Sequence, residues 1–259
     1  MANTGRVLRT EQLTPHMIRV VLGELTGFVP NQFTDAYVKL LFPVPGVTYP
    51  EPFDMKQIRA ERPRTEWPRM RTYTVRAHDE QTGELTIDFV YHGDEGLAGP
   101  WARNAQAGDV LRFAGPGGAY APGDEADWHL LAGDESALPA IGAALEAMPA
   151  GALVHAFIEI DSPAEEQALS TKADARITWL HRTSGADLVA AVRSLEFPPG
   201  VGQAFVHGEA DFVKQLRRHL LDERGLRKDL LSISGYWRRG KDEDGWQAEK
   251  AADRAAEQK

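Results

Sequence analysis

The chain contains no cysteine. Disulfides, dithiol redox motifs, thiolate zinc sites and iron–sulfur clusters carried by its own residues are thereby excluded. Its eight histidines (16, 78, 92, 129, 155, 181, 207 and 219) include no pair at helical i, i+3 or i+4 spacing, so no metal ligands are assigned. Redox chemistry, if present, must come from a bound organic cofactor. A basic surplus is also missing. The formal net charge is −9, the wrong sign for a nucleic-acid binder. No apolar run reaches the length of a membrane span, and Met1 to Arg9 holds no signal-type segment. The expectation is a cytoplasmic protein without membrane insertion, and a monomer. A G-x-G-x-x-G dinucleotide fingerprint is absent as well.

What remains is an ordinary globular composition: 259 residues, 42% hydrophobic and 26% charged, enough for one large or two modest domains. The first part reads as short strands with Gly and Pro turns. Val7 to Gln12, Met17 to Leu22, Tyr37 to Phe42, Arg71 through His78, Glu84 to His92 and Val110 to Phe113 carry apolar alternation or β-rich runs. One short helix opens near Pro100, and a proline-punctuated stretch, Pro43 to Met70, holds regular structure only over Phe53 to Arg62. This pattern predicts a small antiparallel β-barrel over residues 1–123. After Pro122-Gly123-Asp124 strands alternate with helices: strands at Trp128 to Ala132, Leu153 to Ile160, Arg176 to Leu180, Ala204 to His207 and Leu230 to Tyr236, with helices at Ala137 to Met148, Pro163 to Leu169, Asp187 to Leu195 and Asp211 to Glu223. Residues 124–240 are therefore expected to form an α/β domain with a parallel sheet of the doubly wound kind. The tail 241–259 is charged and alanine-rich, and is read as a solvated helix.

Two stretches in the first domain have the chemistry to hold a nucleotide. In Arg71-Thr72-Tyr73-Thr74-Val75-Arg76, an extended backbone puts Arg71 and Tyr73 on one face. A guanidinium forks onto phosphate, a phenol offers a flat ring, and Thr74 supplies a hydroxyl from the other side or the following turn. That set suits a flavin nucleotide; an ordinary half-exposed strand has the same alternation, and the stretch alone leaves both readings open. In Gly96-Leu97-Ala98-Gly99-Pro100-Trp101, a glycine-lined entry exposes helix N-terminal amides, a pyrophosphate seat or a plain cap. In the second domain Gly133-Asp134-Glu135-Ser136 and Gly208-Glu209 fall at strand carboxyl ends, where such sheets bind ligands.

Taken together, these segments resemble the siderophore-interacting protein family, FAD-containing ferric-siderophore reductases of the ferredoxin–NADP reductase superfamily. The resemblance runs from about Arg6 to Gly240. It rests on the Pro-rich loop leading into Arg71 to Arg76, on Asp88 to Gly93, on Gly96 to Trp101, on Gly133-Asp134-Glu135-Ser136-Ala137-Leu138-Pro139-Ala140, and on Gly235-Tyr236-Trp237-Arg238-Arg239-Gly240. It implies that Arg71 holds the FAD pyrophosphate, that Tyr73 lies along the flavin or ribityl chain, and that Thr74 bonds the isoalloxazine edge, with Thr72 completing the stretch. Asp88, Val90 and His92 would line the ribityl and adenine side. Gly96, Ala98 and Gly99 would form the phosphate loop with Trp101 packed behind. Many relatives carry Ser where Gly99 stands, which removes one side-chain contact but not the backbone seat. Gly133, Asp134, Glu135, Ser136, Gly208 and Glu209 would line the NADH or NADPH side, and Tyr236 and Trp237 would approach the flavin.

The resemblance implies flavin-dependent reduction of a ferric siderophore, with electrons from NADH or NADPH and a ferredoxin as a second candidate donor. A hydride carries two electrons and ferric iron accepts one, a mismatch that flavin chemistry bridges. The chain offers no evident iron ligands, so iron would arrive inside its chelator and leave once reduced. No protein acid or base is assigned as catalytic. Anionic chelates call for a local basic patch, for which Arg238, Arg239 and Lys241 are one candidate and Lys39, Arg64 and Arg69 another. Lys172, Arg176, Arg182 and Lys214 are candidates for reading a donor 2′-phosphate. Two rival readings are a general flavin or ferredoxin–NAD(P) reductase and a non-catalytic flavin or siderophore carrier.

Overall fold

A computed structural model describes residues 1–241 and 245–246. Two compact units are present, one ending at Ala119 and the other beginning at Tyr120. The division falls slightly ahead of the turn at Pro122-Gly123-Asp124. The expected tail helix lies, apart from Lys241 and the Gly245-Trp246 pair, outside the described residues. Among the described residues no helix is long and apolar enough to cross a membrane.

The first unit holds strands β1 (Asn3–Thr14), β2 (Met17–Thr26), β3 (Tyr37–Phe42), β4 (Arg69–Thr74), β5 (Ala77–Asp79), β6 (Glu84–Val90) and β7 (Val110–Gly117). Two short helices, α1 (Met55–Glu61) and α2 (Ala98–Asn104), accompany them. The sheet is antiparallel with strand order β4-β3-β7-β1-β2-β6-β5. Its two terminal strands, β4 and β5, are neighbours in sequence, separated only by Val75 and Arg76. The Val75 N–H donates to Ala36 O at 2.7 Å on the β3 side, and the Arg76 N–H donates to Thr86 O of β6 at 2.9 Å. Successive amides thus bond to strands at opposite ends of the order, which curls the sheet toward a barrel. The strand expected to run unbroken through His78 is interrupted at this closure.

Alternation does the rest. Ile18, Val20 and Leu22 of β2 and Leu85, Ile87 and Phe89 of β6 point into the core, while Arg19, Val21, Thr86 and Asp88 alternate onto the other face of the sheet. The proline-rich stretch is more ordered than a loop. Asp54 caps α1 by accepting from the Lys56 N–H at 2.7 Å. Ile58 then packs on Leu41 and Phe53 under Tyr49, Trp67 and Met70.

The second unit comprises β8 (Trp128–Asp134), α3 (Leu138–Ala147), β9 (Leu153–Ile160), β10 (Asp174–His181), α4 (Leu188–Arg193), β11 (Gly202–Glu209), α5 (Ala210–Arg218) and β12 (Leu231–Trp237). All pairings are parallel, in the order β10-β9-β8-β11-β12. The central strands β8 and β11 are buried along their whole length, as expected for a sheet covered on both faces. The helix expected over Pro163 to Leu169 shrinks to one turn, Pro163–Glu165. Glu166 leaves helical geometry and reaches the His181 ring at 2.8 Å. From β8 the chain winds outward through β9 and β10, then crosses to β11 on the other side of β8. The strand order therefore reverses between β8 and β11, whose carboxyl ends frame the crevice where open α/β sheets bind ligands.

Candidate functional site

In the barrel, register places the residues of β4. Arg71 lies opposite Leu40 and Tyr73 opposite Val38, both core residues, while Thr72 lies opposite Lys39 and Thr74 opposite Tyr37. Arg71 and Tyr73 therefore share the core-side face, and Thr72, Thr74 and Lys39 share the other. Arg69 falls on the face of Arg71 and is exposed. The Arg71 guanidinium is half-buried and donates to Met70 O at 2.7 Å. Tyr73 is held by a run of rings: its centroid is 4.5 Å from Phe89, and Phe89 is 5.6 Å from Trp101 in α2. Each such contact contributes about 0.5–1.5 kcal/mol beyond burial, so together they fix Tyr73 relative to the N-terminus of α2.

That N-terminus is uncapped. Leu97 precedes α2 without any side-chain cap, which leaves the amides of Ala98 and Gly99 for a ligand. A Cβ on Gly99 would sit 3.1 Å from Val90 O, so the loop lies directly on the end of β6 and brings Val90 beside the amide groups. The exposed Gly96 and His92 occupy the connecting loop. Thr74 is 6% exposed, and its hydroxyl has no hydrogen-bond partner among the described residues. A fork-shaped cation, a braced ring, an unused hydroxyl and uncapped amides match a flavin nucleotide with a pyrophosphate group, so the residues present fit FAD.

Asp88, expected on the ribityl and adenine side, is already engaged within the barrel. It is buried and both oxygens are taken by Arg19, at 2.7 and 2.8 Å, with Arg76 at 4.0 Å. This fork clamps β2 to β6 behind the ring run. Arg19 was missed in the sequence because its significance lies in register, opposite Asp88.

In the α/β unit the switch point is built around Asp134. This residue ends β8 and is 1% exposed. One oxygen accepts from the Ser136 N–H at 2.9 Å and the Ser136 hydroxyl at 2.5 Å. The other accepts from the Glu209 N–H and the Trp237 indole N–H, both at 2.8 Å. Burial pushes the Asp134 carboxyl up to about 6, against the pull of Ser136 and Trp237. Gly133 admits this arrangement, since a Cβ there would lie 2.6 Å from His207 O. Glu209 in turn caps α5 by accepting from the Asp211 N–H at 2.7 Å, and its other oxygen accepts from the Arg239 N–H at 3.3 Å.

Glu135 is committed to Arg182 through both of its oxygens, and Arg182 also reaches Glu159 at 3.5 Å. Burial raises the Glu159 carboxyl while Arg182 opposes the shift. Arg182, a candidate reader of a 2′-phosphate, is therefore already engaged by two carboxylates. Lys172, Arg176 and Lys214 are exposed. The Tyr236 ring lies 4.8 Å from that of His207, whereas Trp237 is 38% exposed. Of the basic residues after β12, Arg238 is 3.7 Å from Asp211 and 6.0 Å over the Trp246 ring, and Arg239 and Lys241 are exposed. Arg64 is likewise exposed on its short turn.

Comparison with known proteins gives this layout a family. A model described as siderophore-interacting FAD-binding domain matches residues 6–120, and one described as siderophore-interacting protein matches residues 126–240. The chain is 36% identical over 256 residues to a ferric vibriobactin reductase of Vibrio cholerae, covering 94% of this chain and 92% of the relative. It is 33% identical over 239 residues to an NADPH-dependent ferric-chelate reductase of Escherichia coli, covering 89% and 91%. The crystal structure of a siderophore utilization protein from T. fusca superposes with a TM-score of 0.79 at 40% identity, covering 93% of this chain and 94% of that one. With both halves matched in order and relatives aligned over nearly their full length, the chain belongs to the siderophore-interacting protein family.

Proposed function

We propose that this protein is an FAD-dependent reductase of ferric siderophores that draws its electrons from NADH or NADPH and works in the cytoplasm. The observation that carries the reading is the joint presence of the Arg71–Tyr73 face beside an uncapped helix N-terminus and a separate α/β unit whose switch point is framed by Gly133, Ser136 and Gly208. Two of its relatives are named as a ferric vibriobactin reductase and an NADPH-dependent ferric-chelate reductase. When bound, FAD takes up two electrons together and passes them on one at a time, which matches a hydride donor to ferric iron.

The chain's own residues bind and orient. Arg71 and the amides of Ala98 and Gly99 neutralise and seat the cofactor's pyrophosphate. Tyr73, braced by Phe89 and Trp101, lays its ring along the flavin, and the Thr74 hydroxyl is the group available to bond the ring edge. The crevice at the carboxyl ends of β8 and β11 receives the nicotinamide donor. Arg239 and Lys241 offer positive charge to an anionic ferric chelate despite the acidic chain as a whole. Reduction weakens the hold of hard oxygen donors on iron, so release follows from the acceptor's chemistry rather than from any protein acid or base.

The test is anaerobic. The FAD-loaded protein is mixed with NADH or NADPH, then with a ferric siderophore in the presence of a ferrous-specific dye. Loss and return of flavin colour, with one ferrous dye complex per electron, is the expected result. Equal or faster turnover of quinones, free flavin or ferredoxin than of any ferric siderophore would contradict the siderophore assignment. A protein that binds FAD but is not bleached by either nucleotide would contradict the donor.

A further inference from the structure

Trp237 combines two properties that seldom coincide. More than a third of its surface is exposed, yet its indole N–H is fixed by a charge-assisted bond to a carboxylate that is itself out of water. An exposed tryptophan usually samples several rotamers; this one has its polar edge anchored and its ring presented. The anchor is elaborately made. Asp134 reaches Trp237 only because residue 208 has no side chain: a Cβ there would lie 2.7 Å from the Asp134 Cγ. The β11–β12 register also slips between Gly208 and Glu209, skipping Tyr236 and pairing Glu209 with Trp237, which turns the Glu209 N–H onto the same Asp134 oxygen. Two further carboxylates hold the residues that follow, Asp211 near the Arg238 guanidinium and Glu209 on the Arg239 amide. All of this lies at the ends of β8, β11 and β12, around the switch point.

We infer that Asp134 is a positioning residue for the electron donor, holding the Trp237 indole as a fixed stacking face for a planar ring bound at the β8/β11 crevice. The inference rests on the proposed nicotinamide donor and adds to it the two residues that set donor affinity. Aromatic faces contribute most to binding when they are immobilised beforehand, since no rotamer entropy is then lost on association. Other charged groups around Asp134 are Glu135, Glu209 and Arg182. None of them bonds to the indole.

The experiment compares wild type, Asp134→Asn, Trp237→Phe and the double variant as full-length, FAD-loaded proteins. It measures KM and kcat for the better of NADH and NADPH, flavin content, and the indole N–H resonances by 15N NMR. Trp237→Phe keeps a ring but loses the N–H. The expected result is a donor KM about tenfold higher in each single variant, kcat and flavin content within a factor of two, and no further increase in the double variant. In the wild type the Trp237 indole resonance moves as Asp134 titrates, and in Asp134→Asn it does not. Unchanged KM in Trp237→Phe, or KM effects that multiply in the double variant, would overturn the positioning role while leaving the donor assignment intact. A wild type reduced by neither nucleotide, with the indole resonance still titrating, would instead overturn the donor assignment and this inference with it.

Discussion

A side chain at position 208 and the carboxylate of Asp134 exclude each other. A Cβ on Gly208 would lie 2.7 Å from Cγ of Asp134 and 2.6 Å from Cζ of Phe212, and the backbone there has a φ of +137°. Gly208→Ala therefore meets both backbone strain and a clash, with an expected loss on the order of 2–3 kcal/mol. Urea unfolding measures it, and a loss below about 0.5 kcal/mol would mean that the crevice can shift to admit a methyl group.

The same carboxylate sets a pH dependence. Its folded value, about 6, lies above the ordinary 3.8, so between these values the folded state holds a proton that the unfolded state has lost. Its contribution to stability is full below about pH 3.8 and is lost as pH rises through about 6. The whole change is on the order of 3 kcal/mol. Asp134→Asn lacks this slope, though it is less stable overall because the amide nitrogen meets donors. Subtracting the two stability curves between pH 4 and 7 isolates the effect. Parallel curves would show that Asp134 stays ionised throughout.

In the barrel, Arg19→Met leaves the Asp88 carboxylate, whose side chain is 2% exposed, with Arg76 at 4.0 Å as its remaining cation among the described residues. Removing one partner of a buried pair is costly. Because the Arg19 side chain is 26% exposed, solvent screening lowers the expected loss to about 2 kcal/mol. Arg19→Lys keeps the charge but not the fork and should lose about half as much. Thermal unfolding of the two variants distinguishes a fork from a mere counter-charge.

Arg239 and Lys241 are exposed, and among the described residues no ion pair of the Arg239 side chain is present. Replacing both by Ala should raise KM for an anionic ferric chelate several-fold, and the effect should fade at high salt. Flavin content should not change. An unchanged KM at low salt would remove this patch from the substrate's path.

Much of this was legible from residue pattern. The strand Leu153–Ile160 stands where its β-rich run lies, and β3 likewise spans Tyr37–Phe42, because both are mostly apolar segments, broken only by His155 and Glu159 and by Lys39, and bounded by turn residues. The segment Asn3 to Gly5 is not legible as strand; it is one because β7 pairs with it. The barrel closure at Val75 and Arg76 is equally invisible locally, since it depends on partners in two different strands. The site divides in the same way. The chemistry of Arg71, Tyr73 and the Ala98-Gly99 amides is local, though each stretch alone is equally an ordinary strand or a plain cap. The bonds of Asp134 to Glu209 and Trp237, like the Arg19–Asp88 fork, join residues far apart in sequence, and only the fold reveals them.

Flavin content of Arg71→Ala/Tyr73→Ala, measured by absorbance after loading with FAD alongside the wild type, is the most direct test of the whole reading. A yellow wild type with one FAD per chain is expected, beside a double variant that is folded by circular dichroism but colourless. A folded variant that retains the wild-type stoichiometry and affinity for FAD would contradict the assignment of β4 as the cofactor seat, and the proposed chemistry would then need a different site.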